Sequence, residues 1–331
     1  MDKFELQDFN KRIELNTDLK NVSVQICNNY DLGDFVSNEL IQIGYEDYNY
    51  YLTTSKGKYC VKIFSKARSV EDIKNYLARI RTVANSGVSS PKPLLINDDI
   101  CLSLDYENNH YDICVFEYIN GKNYFEIGEN PSSNVIRELA RQTALINNLD
   151  IKPEFIYDTW AIINFEKEYS QKRECLSKKY KEEFDRLLIE LKNIDFNKLP
   201  MGFVHGDIIS TNVMVDNNSK VWILDFAVSN YLPRIIDLAV TSCNMCLVEN
   251  SKDKTYENIA LLLSEYNKYN KLTDYELEVF GTFYKLANAM HILQPTYITK
   301  TDGDSEENQY WLNEGIVGYS YSDDNRLNNI L

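Results

Sequence analysis

One polar loop, followed by an acidic residue at the end of an apolar run, is the most informative part of this sequence: Val204-His205-Gly206-Asp207-Ile208-Ile209-Ser210-Thr211-Asn212-Val213 and then Leu224-Asp225-Phe226. Short runs rich in Val, Ile, Phe and Trp occupy 203–205, 213–215 and 221–224. Residues of these types favour β-strands. We therefore predict a strand, the polar loop, and a β-hairpin that ends at the acidic residue.

The polar residues of this segment are those that phosphoryl transfer to a hydroxyl requires. A carboxylate must orient the attacking hydroxyl and accept its proton, and we assign this role to Asp207. A neutral oxygen ligand and a second carboxylate must hold Mg²⁺ against the nucleotide phosphates, and we assign these roles to Asn212 and Asp225. The alternative is a polar loop with an unrelated Asp-Phe pair, which the joint spacing disfavours.

The spacing is also that of the protein-kinase catalytic loop. That loop reads H-x-D, four residues and Asn, and it is followed by a hairpin and D-F-x. This sequence matches it at His205, Asp207, Asn212, Asp225 and Phe226. A lone H-x-D would be weak evidence, but the complete set of residues with strands around it strongly indicates a kinase.

The hydrophobic pattern divides the chain into a β-rich part and a helical part. Strand-like runs occupy 40–44, 48–54, 59–64, 100–104 and 111–118, with helices predicted at 4–20 and 70–86. Helical periodicity then dominates at 132–149 and 164–193, and Thr273-x-x-Glu276 predicts a capping box. We therefore predict a bilobal α+β protein-kinase-like fold. Its antiparallel nucleotide-binding lobe would span 1–118, and its mainly helical catalytic and substrate-binding lobe 119–331.

A lysine inside a buried strand is the second kinase-like feature. Kinases place the lysine that grips the α- and β-phosphates in such a context, and here it is Lys62. The alternative is a lysine that snorkels from an edge strand. In kinases this lysine pairs with a carboxylate on the next helix, for which Glu71 and Asp72 are the candidates at the start of the helix.

The end of the last N-terminal strand has the form of a kinase hinge. Ile113–Tyr118 runs into Ile119-Asn120-Gly121. We expect adenine to bond to the backbone near Glu117 and Ile119, against apolar walls such as Val61. The alternative is an ordinary strand end.

These motifs resemble the aminoglycoside phosphotransferase and choline kinase superfamily, in which H-G-D replaces the H-R-D of protein kinases. Within it, type II homoserine kinases look most similar, over roughly residues 30–295. The residues that carry this resemblance are His205-Gly206-Asp207, Asn212, Asp225-Phe226, Tyr30–Gly33, Gly44–Tyr50 with Thr53-Thr54, Gly57–Tyr59, and Asp237–Val240 with Cys243-Asn244.

The resemblance implies ATP and Mg²⁺ as cofactors and a hydroxyl of a small molecule as the phosphate acceptor. It implies that segment 44–49 covers the phosphates; because Gly44 is its one glycine, Asn49 or the loop backbone would cradle them. It also implies that Asp237 is a structural aspartate bonded near the catalytic loop, with His205 in a supporting role.

The acceptor is open at this point. Homoserine or another amino alcohol is favoured by the resemblance, and an aminoglycoside or choline-type cation is the alternative. We expect the acceptor pocket in the helical half, including the segment Trp311–Tyr321. A non-catalytic pseudokinase is disfavoured because Lys62, Asp207, Asn212 and Asp225 occur together. A Ser/Thr protein kinase is disfavoured because no A-P-E segment is recognisable.

The composition excludes several other classes of protein. The 331 residues include 35 Lys and Arg against 50 Asp and Glu, a formal net charge of −15. Such a field disfavours binding to nucleic acid or an anionic membrane, and it is compatible with a cationic or zwitterionic substrate. Neither a signal peptide nor a run of ~18 apolar residues is visible, and seven cysteines do not suggest a disulfide framework. We expect a cytoplasmic protein, and the sequence predicts no oligomeric state.

Overall fold

The structure, a computed structural model, describes residues 6–41, 47–322 and 326–327. The chain divides into two compact units, with the boundary between Asn120 and Gly121. The first contains an antiparallel sheet and the second is mainly helical, which confirms the predicted fold class.

The N-terminal unit is built on one five-stranded antiparallel sheet. Its elements, in chain order, are α1 Leu6–Arg12, α2 Leu19–Asn29, β1 Phe35–Leu40, β2 Tyr48–Thr54, β3 Lys58–Ile63, α3 Val70–Ala84, β4 Leu102–Tyr106 and β5 Asn109–Glu117. The strand order is β1-β2-β3-β5-β4, and every neighbouring pair is antiparallel. The extent predicted for the opening helix, 4–20, is wrong: α1 ends at Arg12, residues 13–18 are not helical, and α2 begins at Leu19. Asp18 caps α2, where its side chain accepts a hydrogen bond from the Lys20 amide.

Side chains alternate between the two faces of the sheet along each strand, and the apolar side chains on one face form the core of this unit. In β2 the side chains of Tyr48, Tyr50 and Leu52 are fully buried. In β3, Val61 and Ile63 join the same core cluster, and Lys62 points to the opposite face between them. On that face the Lys62 ammonium lies 5.3 Å from the ring centroid of Tyr76 in α3.

The C-terminal unit holds two small sheets among its helices. Its elements are β6 Gly121–Asn123, α4 Tyr124–Ile127, α5 Ser133–Asn147, α6 Phe165–Lys172, α7 Lys178–Lys192, β7 Met201–Val204, β8 Val213–Asp216, β9 Val221–Ile223, β10 Asn230–Pro233, α8 Ile235–Asn244, α9 Lys252–Tyr269, α10 Asp274–Thr301 and α11 Glu306–Tyr321. The strand orders of the two sheets are β6-β8-β9 and β10-β7. The capping box predicted at Thr273 and Glu276 is confirmed at the start of α10. None of the helices in the described part of the chain is long and apolar enough to cross a membrane.

Candidate active site

The polar loop connects β7 to β8, and the carboxylate of Asp237 holds its backbone in place. Asp237 lies in the first turn of α8 and accepts hydrogen bonds from the amides of His205 at 3.0 Å and Gly206 at 2.8 Å. The side-chain amide of Asn147 donates a third bond at 2.7 Å. Gly206 has a φ of +85°, which suits glycine at this sharp turn. Burial raises the pKa of Asp237 to about 6, although these three bonds oppose the shift.

His205 is completely buried and ties the loop to the strand that precedes Asp225. Its Nε2 lies 2.9 Å from the carbonyl oxygen of Leu224, and its Nδ1 lies 3.2 Å from the amide nitrogen of Asp207. Because that amide can only donate, Nδ1 accepts and the proton of the neutral ring resides on Nε2. Burial lowers the pKa of His205 to about 4, so the ring is neutral at pH 7.

Asp207 and Asn212 are in direct contact at the two ends of the loop. The side-chain amide of Asn212 donates to the Asp207 carbonyl at 3.0 Å and to its Oδ2 at 2.7 Å. The other carboxylate oxygen, Oδ1, accepts no hydrogen bond from the described residues. Loss of water around the carboxylate, and then the charges of Asp158 and Asp225, raise the pKa of Asp207 to about 7.

Asp158 is a third carboxylate, besides Asp225, whose charge acts on Asp207, and no role was predicted for it from the sequence. It lies in an irregular segment before α6, and its side chain accepts a bond from the Trp160 amide at 3.1 Å. No periodic pattern or motif marks it in the sequence. Only the folding of this segment towards the catalytic loop places its charge near Asp207.

Asp225 follows β9 with a φ of +57° and is exposed. Aspartate tolerates this left-handed region better than most residues, and its Oδ1 accepts a bond from the Ala227 amide at 3.1 Å. The amide of the preceding Leu224 donates to the Asn212 carbonyl at 2.8 Å. The segments that carry the two predicted metal ligands are therefore hydrogen-bonded to each other.

In the N-terminal unit, Lys62 forms an ion pair with Asp47, with its Nζ 3.1 Å from Oδ2. Asp47 is 4% exposed and also accepts bonds from the Ser65 amide at 3.1 Å and from Nε of Arg68 at 2.8 Å. Burial alone would raise the pKa of Asp47, but Lys62 and Arg68 outweigh it and lower the pKa to about 2. This aspartate is ionised and holds the lysine in place.

Glu71 and Asp72 were the predicted candidates for the carboxylate beside Lys62, and in the structure the carboxylate that pairs with Lys62 is that of Asp47. Glu71 is exposed in the first turn of α3, and Asp72 completes a capping box with Ser69. The search for this carboxylate was limited to the helix that follows Lys62, and Asp47 lies outside that helix. It precedes β2, whose register brings Asn49 opposite Lys62, so the neighbouring strand supplies the partner.

A second correction concerns Val61, which was expected as a wall of the nucleotide site. Its side chain is fully buried in the core on the face of β3 opposite to Lys62. Because strand residues alternate, Cys60 shares a face with Lys62 and replaces Val61 as the candidate. Gly44 lies outside the described residues, and Asn49 is a half-buried residue of β2.

The predicted hinge follows the end of β5. The side chain of Glu117 accepts a hydrogen bond from the Lys92 amide at 2.9 Å, which fixes this strand end. Ile119 lies beyond the strand and is partly exposed. Within the described ranges, its backbone groups make no hydrogen bond, so both are available to a ligand.

Comparison with known proteins identifies the family of this chain. The family model described as the phosphotransferase enzyme family (APH) matches residues 38–268, so the chain belongs to this family. It is 23% identical to a homoserine kinase of Bartonella tribocorum over 81% of this chain and 83% of that protein. It is 25% identical to a homoserine kinase of Sinorhizobium fredii over 75% of each.

Similar solved structures support the fold. An amicoumacin kinase solved with AMP-PNP, Ca²⁺ and Ami superposes with a TM-score of 0.67 and 18% identity over 96% of each chain. A choline kinase from Streptococcus pneumoniae gives a TM-score of 0.62 and 15% identity over 92% of this chain and 99% of that one. Together, the family and these neighbours define the chain as a phosphotransferase of the small-molecule kinase class.

Proposed function

We propose that this chain transfers the γ-phosphoryl group of ATP, in the presence of Mg²⁺, to a hydroxyl of a small amino alcohol, with Asp207 as the group that receives the hydroxyl proton. The observation that carries the proposal is the hydrogen bonding of the Asp207 carboxylate. One oxygen is held by Asn212, and the other accepts no bond from the described residues. A pKa of about 7 suits a group that must accept and later release a proton near neutral pH.

The residues present fit a magnesium site. The side-chain oxygen of Asn212 accepts no hydrogen bond from a described residue, because only its NH₂ group is used. The Asp225 carboxylate is exposed. Mg²⁺ typically takes one or two protein oxygens and completes its shell with phosphate oxygens and water, so these two residues suffice. Bound there, the ion would neutralise charge on the phosphates.

The nucleotide is assigned to residues of the N-terminal unit. Lys62 would bind the phosphates, as a lysine already oriented by Asp47. The backbone groups near Glu117 and Ile119 would bond adenine, and Asn49 and Gly44 remain candidates for the phosphate-covering segment. His205 and Asp237 contribute by holding the loop backbone, which keeps Asp207 in position without a conformational cost during the reaction.

The acceptor class follows from similarity and charge. The curated relatives are named homoserine kinases, which supports an amino alcohol such as homoserine. A choline-type or aminoglycoside acceptor is the second candidate. The similar structure of a choline kinase favours this second candidate, together with the net charge of −15. The similar structure of an aminopropanol kinase, with a TM-score of 0.64 and 14% identity, favours an amino alcohol.

The test is ATP consumption with Mg²⁺ across homoserine, choline, ethanolamine, sugars and aminoglycosides. We expect turnover that depends on one acceptor class and falls by at least 10³-fold in Asp207→Ala, since a general base and its positioning are both lost. Glu182→Gln, an exposed carboxylate of α7, is the matched control and should keep wild-type turnover. ATP binding without turnover for any acceptor would contradict the proposal.

A further inference from the structure

Two cysteines of the N-terminal unit oppose each other at the open end of the β4–β5 hairpin. The strand register pairs Leu102 with Ile113, so the next position outward on each strand places Cys101 opposite Cys114. Cys114 is fully buried in β5, and Cys101, just before β4, is partly exposed. Both are free thiols in the structure. A buried thiol therefore adjoins one that solvent can reach.

The turn of this hairpin determines the kind of pair that the two cysteines form. A two-residue turn, Glu107-Asn108, joins the strands, with φ angles of +48° and +61°. The residues that flank such a turn are a hydrogen-bonded pair, and the two kinds of pair alternate along the strands from there. Counted outward from the turn, Cys101 and Cys114 occupy a non-hydrogen-bonded position. Cα atoms at such a position are ~4.5 Å apart, within the range of about 4.4–6.8 Å that a disulfide requires.

Side chains at the nearest other non-hydrogen-bonded position of the hairpin do reach each other. Ser103 is paired there with Asp112, and its hydroxyl donates to the carboxylate at 2.7 Å. Because side chains alternate along a strand, this pair shares a face with the two cysteines. The Cys114 thiol is likewise close enough to donate a hydrogen bond to the Cys101 sulfur. The two sulfur atoms are thus neighbours on one face of the sheet.

The surroundings of the pair give the two thiols different reactivity. The hydrogen bond from Cys114 lowers the pKa of Cys101, because it stabilises the thiolate. Burial raises the pKa of Cys114, so this thiol is neutral near pH 7. The thiolate is the attacking species in thiol–disulfide exchange. The partly exposed Cys101 is therefore suited to react first and the buried Cys114 to react second.

We propose that Cys101 and Cys114 form a redox modification site, at which a low-molecular-weight disulfide oxidises the two thiols to a reversible cross-strand disulfide. The Cys101 thiolate attacks one sulfur of the reagent, forms a mixed disulfide and releases a thiolate. Cys114 then loses its proton, and its sulfur attacks Sγ of Cys101 and releases the second thiolate. The reagent is reduced to two thiols as the cysteines are oxidised, and the protons of the cysteines pass to the released thiolates.

The proposed site lies beside Lys62 in the same sheet. Lys62 of β3 is paired with Cys114 of β5 in the strand register, so their side chains share a face of the sheet. The disulfide would join β4 to β5 covalently next to this lysine. The inference goes beyond the phosphotransferase function and does not depend on it, because the chemistry requires only the two thiols and the oxidant.

The experiment uses the full chain, reduced, separated from the reductant and incubated with oxidised glutathione. Free thiols are blocked with N-ethylmaleimide, and the peptides are mapped by mass spectrometry without reduction. We expect a peptide pair linked through Cys101 and Cys114, loss of two of the seven thiols, and recovery of both with dithiothreitol. The Tm of the oxidised protein should be at least about 3 °C higher, because the cross-link restricts the unfolded chain.

Cys60→Ser is the matched control for this experiment. Cys60 lies on the same face of the sheet and is partly exposed, but the residue opposite to it in β5 is Phe116. We expect this variant to form the link at the wild-type rate and to show the same shift in Tm. Cys101→Ser and Cys114→Ala should each abolish the link and the shift. Cys101→Ser changes only a partly exposed side chain, so it should fold normally.

Two results would overturn the inference. The first is a lasting glutathione adduct on Cys101 without a linked peptide, which would mean that the Cys114 sulfur does not reach it. The second is a disulfide between other cysteines, such as Cys60 and Cys114, that forms equally fast in wild type and in Cys101→Ser. That outcome would mean that the strand register does not select the reacting pair.

Discussion

The side-chain amide of Asn212 donates a 2.7 Å hydrogen bond to the Asp207 carboxylate, so the proposed base and one proposed metal ligand hold each other. The amide nitrogen faces Asp207, and the amide oxygen remains available for the metal. One residue thus orients the base and the ion together. This explains why a neutral amide suits the position, because a carboxylate there would repel Asp207.

Asn212→Ala should lower kcat by about 10²- to 10³-fold, because both the orientation of Asp207 and a metal ligand are lost. A titration of activity against Mg²⁺ should show a higher midpoint as well as a lower plateau. Asn218→Ala, an exposed residue of the β8–β9 turn, is the control and should alter neither. An unchanged Mg²⁺ midpoint would mean that Asn212 orients Asp207 and does not bind the metal.

Asp207→Asn should stabilise the protein when metal and nucleotide are absent. The pKa of Asp207 is about 7 in the folded protein, against an ordinary value near 4, so its ionisation disfavours the fold. The stability difference should be near zero below pH 4, grow as pH rises from 4 to 7, and level off above 7. We expect on the order of 2 kcal/mol after solvent screening.

Denaturant unfolding in EDTA at pH 4 and pH 8 measures this effect on both proteins. A variant that is less stable than wild type at pH 8 would contradict the argument. Stability and activity should change in opposite directions in this variant, because turnover by Asp207→Asn should be at least 10³-fold lower than that of wild type.

His205→Ala should destabilise the protein by about 2–4 kcal/mol at pH 7, because it removes two hydrogen bonds and leaves a buried gap. His110→Ala, an exposed histidine, should cost at most about 0.5 kcal/mol. The pKa of His205 is lowered to about 4, so its neutral form stabilises the fold above pH 6.5 and this contribution falls as pH drops towards 4.

The gap in unfolding free energy between wild type and His205→Ala should therefore narrow from pH 7 to pH 5, as measured by urea titration. A gap that widens on acidification would mean that His205 is charged in the folded protein.

Asp47→Asn and Glu71→Gln together decide which carboxylate supports Lys62. Asp47→Asn removes a buried negative charge that pairs with both Lys62 and Arg68, so we expect a loss of about 3 kcal/mol and a raised KM for ATP. Glu71 is exposed, and Glu71→Gln should change stability by at most about 0.5 kcal/mol. Equal effects of the two variants on the KM for ATP would restore Glu71 as a partner.

The local sequence pattern was sufficient to predict the fold class and the position of the loop between β7 and β8. Runs of residues that favour β-strands predicted the strand that carries Lys62 and the two strands that pair with it, and the capping box at Thr273 and Glu276 is present as expected. The loop from His205 to Asn212 could be recognised because its residues are close in sequence and their spacing follows from one turn of backbone. The interval between α1 and α2 was not predicted: the chain leaves the helix after Arg12, Glu14 has a φ of +51°, and Asp18 then caps α2.

Residues distant along the chain could not be assigned in this way. Asp47 comes to Lys62 through strand pairing, Asp158 comes to Asp207 through an irregular segment, and Glu314 joins Ser210 through Asn244. Sequence alone therefore indicated the phosphotransferase class of the chain, because the proposed reacting groups lie in one short motif. Tertiary structure decided the charges around those groups, since Coulomb interactions and burial depend on distances in space and not along the chain.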